Sequence, residues 1–492
     1  MFRRLTRHTE RIKVYINFEG EIKMAEKNEL VEKLCYENKN AFTDATEAEK
    51  AEIFEFCEGY KSFLNEGKTE RECCDIICRE LSKAGFKPFD GKGKLKAGDK
   101  IYTVNRGKGV TAFVIGKKDI TEGVNIIGSH IDAPRLDLKP NPLYEDNGFA
   151  FFKTHYYGGI KKYQWAAIPL TIHGVAALSD GTQINIVIGE EEGDPVFCIT
   201  DLLPHLAAKQ MAKKPGEIIT GEGLNVVLGN IGCNDEDVKE AVKFNILKLL
   251  YEKYDITEED LLSSEIEVVP AYPAKDVGLD RSMVGGYAQD DRVCAYTSLK
   301  AIMDVKNPEK TVACLLVDKE EVGSMGATGM QSRNFENVLA KVCASLADNY
   351  TDIVLRDAIS NSTCLSADVA AAYDPNFPEV TEKKNTPMFG GGLVLTKYTG
   401  SRGKGGASDA SAELVAKVRR IFNEGQVKWQ IGELGKVDEG GGGTIAQFVA
   451  NLDMDVIDAG VALLSMHSPF ELASKFDIYM AYKGYKEFYI NA

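Results

Sequence analysis

The chain has 492 residues, 44% of them apolar and 27% charged, an ordinary balance for a globular protein large enough for two or three domains. Its 74 acidic residues outnumber its 59 basic ones and leave a formal charge of −15, which argues against a nucleic-acid partner because phosphate binding needs clustered Lys and Arg. No apolar run approaches the length of a membrane helix, so no membrane partner is expected. The chain opens on a basic stretch, Met1-Phe-Arg-Arg-Leu, that lacks the apolar segment of a secretory signal, and Met24 reads as a second, ordinary start; residues 1–23 are therefore read as an N-terminal extension. Eleven cysteines, an odd number without a repeated spacing, read as idle thiols of a reducing compartment and predict a cytoplasmic protein.

Residues 29–84 carry apolar side chains at helical intervals, with Gly85 as the stop. Strand-like runs follow at 101–105, 110–115 and 124–127, and the last leads into Gly128-Ser-His-Ile-Asp-Ala-Pro-Arg135. From 141 to 275 the texture changes to short β-branched and aromatic runs (149–152, 168–172, 184–188) between glycine and charged turns, with a helical pattern over 235–254. This block is read as an inserted β-rich domain that splits an α/β domain into two parts, residues 24–140 and 276–492. In the second part, Tyr287-Ala-Gln-Asp-Asp-Arg292 precedes a helix over 293–302. The run Val312-Ala-Cys-Leu-Leu-Val317 suits a strand buried on both faces and ends in the adjacent carboxylates of Glu320 and Glu321. Thr363-Cys-Leu365 leads into Ser366-Ala-Asp368. Glycine clusters at 390–392, 403–406 and 440–443 permit close backbone approach, but none has a phosphate-cradle pattern. Strands over 456–459 and 461–464 run into Ser465-Met-His-Ser-Pro-Phe-Glu471, where Ser468, Pro469 and Glu471 read as the capping box of a new helix.

Each of these polar clusters sits next to a strand end or a helix start, and in open α/β sheets the carboxyl ends of the strands are where ligands bind. Two of the six histidines, His130 and His467, stand at strand ends beside tight turns. Asp132, two residues past His130, is placed to orient that imidazole. Together with Asp290, Glu320, Glu321 and Asp368 they make a carboxylate-rich, two-imidazole set suited to two zinc-like ions that share a carboxylate. Two neighbouring glutamates can divide the labour, one holding a metal and the other a proton.

In order along the chain, His130-Ile-Asp-Ala-Pro, Asp290-Asp-Arg, Glu320-Glu-Val-Gly-Ser, Ser366-Ala-Asp and Ser465-Met-His-Ser-Pro-Phe-Glu resemble the motifs of the M18 metalloaminopeptidases, the aspartyl aminopeptidase and yeast aminopeptidase I group. The resemblance runs from about residue 29 to the C-terminus. It implies a mixed-sheet α/β catalytic domain of the di-metal aminopeptidase type, cut by the inserted domain, that hydrolyses the N-terminal peptide bond of short peptides. It implies that Asp290 bridges two ions, that His130 and Asp368 complete one site and Glu321 and His467 the other, and that Glu320 is the general base with Asp132 beside it in the catalytic machinery. Asp291 rivals Asp290 for the bridge, and register favours Asp290. Zinc is the expected metal, although manganese or cobalt suits the same ligands. The resemblance further implies a homo-oligomer, a dodecamer, in which a histidine of a neighbouring inserted domain reaches the site; His205 in Pro204-His-Leu-Ala207 is the candidate. Lys397, with Arg402 and Lys404, forms a basic stretch able to receive a substrate side chain. The Asp290-Asp-Arg motif and the run 440–444 are closer to the related M42 aminopeptidases. The same ligands would also serve a di-metal deacylase or carboxypeptidase, because they fix water activation and not which end of the substrate is held.

Overall fold

The computed structural model describes residues 30–31, 34–36 and 38–492, so the extension expected over residues 1–23 lies outside the described residues. Residues 40–492 form one compact unit, and the architecture below is that of this unit.

Two helices open it, Glu47–Glu66 and Glu70–Lys83, and each starts with a full capping box, Thr46 with Glu49 and Thr69 with Glu72. These reciprocal bonds satisfy backbone donors that a helix start otherwise leaves open. The second helix stops where the sequence predicts, with Gly85 in the left-handed region at φ 87°.

The central sheet has nine strands. Across it lie Lys87–Pro88, Lys100–Val104, Val110–Val114, Thr311–Val317, Val124–His130, Thr363–Ser366, Asp455–Gly460, Leu393–Thr396 and Trp429–Ile431. The four strands from Thr311–Val317 to Asp455–Gly460 are parallel to one another, flanked by antiparallel pairings on both sides, so the sheet is mixed. Thr311–Val317 shows why its sequence lacks alternation. Val312, Cys314 and Leu316 enter one core with helices Gln289–Asp304 and Lys475–Asn491, while Ala313, Leu315 and Val317 enter a second core with helix Asn334–Leu346. Apolar side chains are needed on both faces, and each fully buried one of this size contributes about 1.5–3 kcal/mol.

Residues 135–270 supply a second, wholly antiparallel sheet in the order Gln183–Ile188, Leu170–Ala177, Ser264–Pro270, Arg135–Asp146, Phe149–Tyr157, Val226–Gly229. It has its own core around Leu136, Phe152, Trp165, Ile172 and Val268. Its first strand crosses the boundary expected at 140/141. The helix expected over 235–254 begins only at Ala241, because the Glu145 carboxylate accepts the N–H groups of Val242 and Lys243 at 2.8 and 3.0 Å and so sets the helix start from the sheet.

A third sheet of five short strands includes Met283–Gly286, Ala462–Leu464 and Glu471–Ser474. It corrects one expectation: no helix begins at Ser468. Glu471 instead pairs across to Gly286 as the first residue of a strand, and the terminal helix begins at Lys475. Strand pairing overrides the local capping signal, and Ser468 Oγ bonds only to Phe470, accepting its N–H at 3.2 Å and donating to its carbonyl at 2.7 Å.

Candidate metal centre

The parallel strands deliver the polar clusters to one edge of the central sheet. His130 ends its strand beside Val317 in register, so the turn carrying Glu320 and Glu321 leaves the sheet next to the imidazole. Asp368 follows the neighbouring strand Thr363–Ser366. Asp290 and Asp291 open helix Gln289–Asp304 with non-helical backbone angles, and the peptide between them is cis. Non-glycine residues at left-handed φ gather here, among them Ala288 at 61°, Lys319 at 68° and His467 at 64°. Such conformations persist only where the surroundings impose them, and they gather at functional sites.

Asp290 lies between the two imidazoles. Its Oδ1 is 3.3 Å from His130 Nε2 and its Oδ2 is 3.1 Å from His467 Nε2. Asp291 turns the other way and accepts the backbone N–H of His130 at 3.3 Å. Two groups therefore share Asp290: His130, Asp290 and Asp368 converge on one point, and Asp290, Glu321 and His467 on another. Glu321 Oε2 is 3.4 Å from His467 Nε2, and Glu320 Oε2 is 3.9 Å from His130 Nε2.

Each imidazole is held through its other nitrogen. His130 Nδ1 faces the Asp132 carbonyl at 3.1 Å and its carboxylate at 3.2 Å, and His467 Nδ1 donates to the carbonyl of Gly159 at 2.8 Å. Both Nε2 atoms are thereby aimed inward, the arrangement that metal-binding histidines show. Glu471 braces the other half, accepting the N–H groups of Gln289 at 2.6 Å, Asp290 at 3.1 Å and His467 at 2.7 Å.

Carboxyl groups crowd these two imidazoles, and their proton affinities record it. Burial, with the charges of Asp290 and Asp132 adding to it, pushes Glu320 up to about 7. Burial likewise drives Glu321 and Asp368 well above the usual carboxylate range, with Asp290 adding for the first and Asp291 for the second. Burial would also raise Asp290, but its contacts with His130 and His467 outweigh it and hold that carboxyl low. Burial would lower His467, but Asp290 and Glu321 bring it up to about 10. Among the described residues, His130 Nε2 and Glu321 Oε1 are buried without a hydrogen-bond partner. Open inward donor atoms amid crowded anionic oxygens fit divalent cations, which would relieve both the repulsion and the missing bonds.

The site opens on a cavity of about 610 Å³ whose wall includes Arg402, Lys404, Lys436 and the glycine run 440–443. Lys397 does not line it and pairs with Asp409 at 2.8 Å; His205 is exposed and lies outside it. The glycines at 390–392 serve elsewhere, where the N–H groups of Gly390 and Gly392 bind the buried Asp477 carboxylate at 3.0 and 2.7 Å. Two contributors had no local signal in the sequence: Tyr157, whose hydroxyl donates to Asp132 Oδ2 at 2.7 Å, and Gly159. Both come from the second sheet, some 27 residues or more from His130, in a Tyr-Gly-Gly turn that matches no motif.

The family model for aminopeptidase I zinc metalloproteases, M18, matches residues 63–489. The chain belongs to the M18 family. This M18 chain is 52% identical over 462 residues to a probable M18 family aminopeptidase 1 of Clostridium acetobutylicum, covering 93% of this chain and 99% of that one. It superposes on the crystal structure of the M18 aminopeptidase of Thermotoga maritima with a TM-score of 0.89 at 47% identity, covering 93% of this chain and all of that chain. Likeness of fold extends to the mApe1 dodecamer of S. cerevisiae, with a TM-score of 0.72 at 22% identity and coverage of 89% of this chain and 96% of that one. The protein is a metalloaminopeptidase, a hydrolase that depends on a divalent metal. Among the described residues no helix is long and apolar enough to cross a membrane.

Proposed function

We propose that this aminopeptidase hydrolyses the N-terminal peptide bond of short peptides at a two-ion centre, with Glu320 as general base. The observation that carries this reading is the Asp290 carboxylate, which offers one oxygen to the His130 side and the other to the His467 side. His130, Asp290 and Asp368 would hold one ion and Asp290, Glu321 and His467 the other. Zinc is the metal proposed, in keeping with the family description, and manganese or cobalt would suit the same oxygen and nitrogen donors. When bound, the two ions supply Lewis acidity that polarises the scissile carbonyl and acidifies the attacking water.

The chain's own groups do the rest. Glu320 is not a member of either ligand trio and stands at the mouth of the site, where its carboxylate takes the proton of the attacking water and returns it to the leaving amine. Asp132 holds His130 from behind and fixes the backbone of the Glu320–Glu321 turn. The cavity wall, with Arg402 and Lys404, receives the first side chain of the peptide, whereas Lys397, paired with Asp409, stands outside that wall. Assembly into a homo-oligomer, a dodecamer as in the yeast relative, would bring His205 of the inserted domain, residues 141–275, toward the site of another copy.

The test is amino-acid release from short peptides of varied N-terminal residue, free or N-acetylated, with added metal or with chelator. Release only from free-amine peptides and only with metal supports the reading. Equal release from acetylated peptides would overturn it.

A further inference from the structure

We infer that Tyr157 is a positioning residue: through its hydroxyl it locks the Asp132 carboxylate and so fixes the His130 imidazole. This rests on the two-ion reading above and assigns a part in it to a residue of the second sheet.

Asp132 is fully buried and its four lone-pair directions are all used. Oδ1 faces His130 Nδ1 at 3.2 Å and accepts the Glu320 N–H at 3.1 Å. Oδ2 accepts the Glu321 N–H at 3.2 Å and the Tyr157 hydroxyl at 2.7 Å. The tyrosine bond is the shortest of the four and the one made by a residue outside the sheet edge that carries the site. Without it, one backbone N–H is left to hold Oδ2, and the carboxylate loses its shortest tether against rotation away from the imidazole it orients.

Tyr157 is itself immobilised. It pairs in register with Arg135, whose guanidinium stacks over the phenol ring at 3.9 Å. Arg135 is buried and anchored by Asp137 at 2.8 Å, Glu267 at 3.2 Å and Glu70 at 3.4 Å, the first two on the same sheet and the third on helix Glu70–Lys83. Arg135 opens its strand three residues after Asp132, so the second sheet starts and is tethered at the site. The two residues after Tyr157 continue the contact. Gly158, at φ 74°, passes so close that a Cβ there would stand 3.4 Å from Glu321, and Gly159 offers its carbonyl to His467 Nδ1 at 2.8 Å. Residues 157–159 thus touch the supports of both proposed ion positions.

The decisive experiment is metal titration of the full-length chain, stripped and then reloaded with zinc against a chromophoric chelator. It compares wild type, Tyr157→Phe, Asp132→Asn and the double variant, with the exposed neighbour Tyr156→Phe as control. Tyr157→Phe keeps the ring under Arg135 and removes only the hydroxyl. Its zinc affinity should fall about 10–100-fold, with kcat reduced, KM within about twofold and the far-UV spectrum unchanged. That loss should vanish in the Asp132→Asn background, because both changes break one link. Wild-type affinity in Tyr157→Phe, or the same fold-loss added on top of Asp132→Asn, would overturn the inference alone. Wild-type zinc binding by His130→Ala would overturn the two-ion reading, and the inference with it.

Discussion

Asp132 accepts the backbone N–H of Glu320 on one carboxylate oxygen, at 3.1 Å, and that of Glu321 on the other, at 3.2 Å. The residue behind the first imidazole therefore also shapes the turn that carries the proposed base and a proposed ligand. An amide cannot replace it, since Asn has one acceptor oxygen and would turn its NH2 toward one of these donors. Asp132→Asn should lower metal affinity and kcat about 10–100-fold each, measured by zinc titration and steady-state kinetics. An unaltered kcat would remove Asp132 from the machinery.

Glu320 and His467 should separate cleanly. Glu320 belongs to neither ligand trio, whereas His467 Nε2 stands 3.1 Å from Asp290 and 3.4 Å from Glu321. Glu320→Gln should retain bound metal by elemental analysis and lose about 10²–10⁴-fold in kcat, the usual worth of a positioned acid or base. His467→Ala should lose metal. A Glu320→Gln enzyme of full activity would show that another group takes the proton.

The ligand candidates were legible because each lies at a strand end or helix start that the local pattern announces: His130 after an apolar run, Glu320 and Glu321 after another, Asp368 after a third. The preference for Asp290 over Asp291 rested on register alone, since the turn of each side chain depends on backbone angles at the start of helix Gln289–Asp304 that no propensity encodes. The segment after His467 misled for a related reason. Ser468, Pro469 and Glu471 have the composition of a helix start, yet Glu471 finds stronger partners in the N–H groups of Gln289 and Asp290, brought from far along the chain, together with that of His467 in its own segment. Tyr157 and Gly159 were invisible because their meaning arises only when the second sheet folds back on the first.

Gly460 is a position where the sheet meets the site. A Cβ there would lie 1.8 Å from the carbonyl oxygen of Asp368, so alanine requires the Asp368 segment to move. Gly460→Ala should destabilise by about 1–3 kcal/mol, the range for overpacking, and should release metal beyond what the lower stability explains. Gly216→Ala, where a Cβ meets nothing within 4 Å, should stay within about 0.5 kcal/mol of wild type. Thermal melts with and without metal check both, and a Gly460→Ala protein of wild-type metal affinity would show that Asp368 tolerates the shift.

Outside the cavity lining, Asp276 gathers three cations: Lys61 at 2.6 Å, Arg281 at 2.8 Å and the fully buried Lys475 at 2.8 Å. Burial would raise the Asp276 carboxyl, but Lys475, Lys61 and Arg281 together hold it well below the usual range. A carboxyl depressed in the folded state contributes stability that is present above its unfolded pKa of about 4 and is lost as pH falls through the folded value. Asp276→Asn leaves Lys475 buried without its counter-charge, at a cost of roughly 3–5 kcal/mol at pH 7. Denaturant melts from pH 7 to pH 3 should show the gap between wild type and variant constant down to about pH 4 and narrowing below it. A gap that stays constant through pH 3, or widens there, would mean that the variant fails through lost packing and that the charge on Asp276 contributes little.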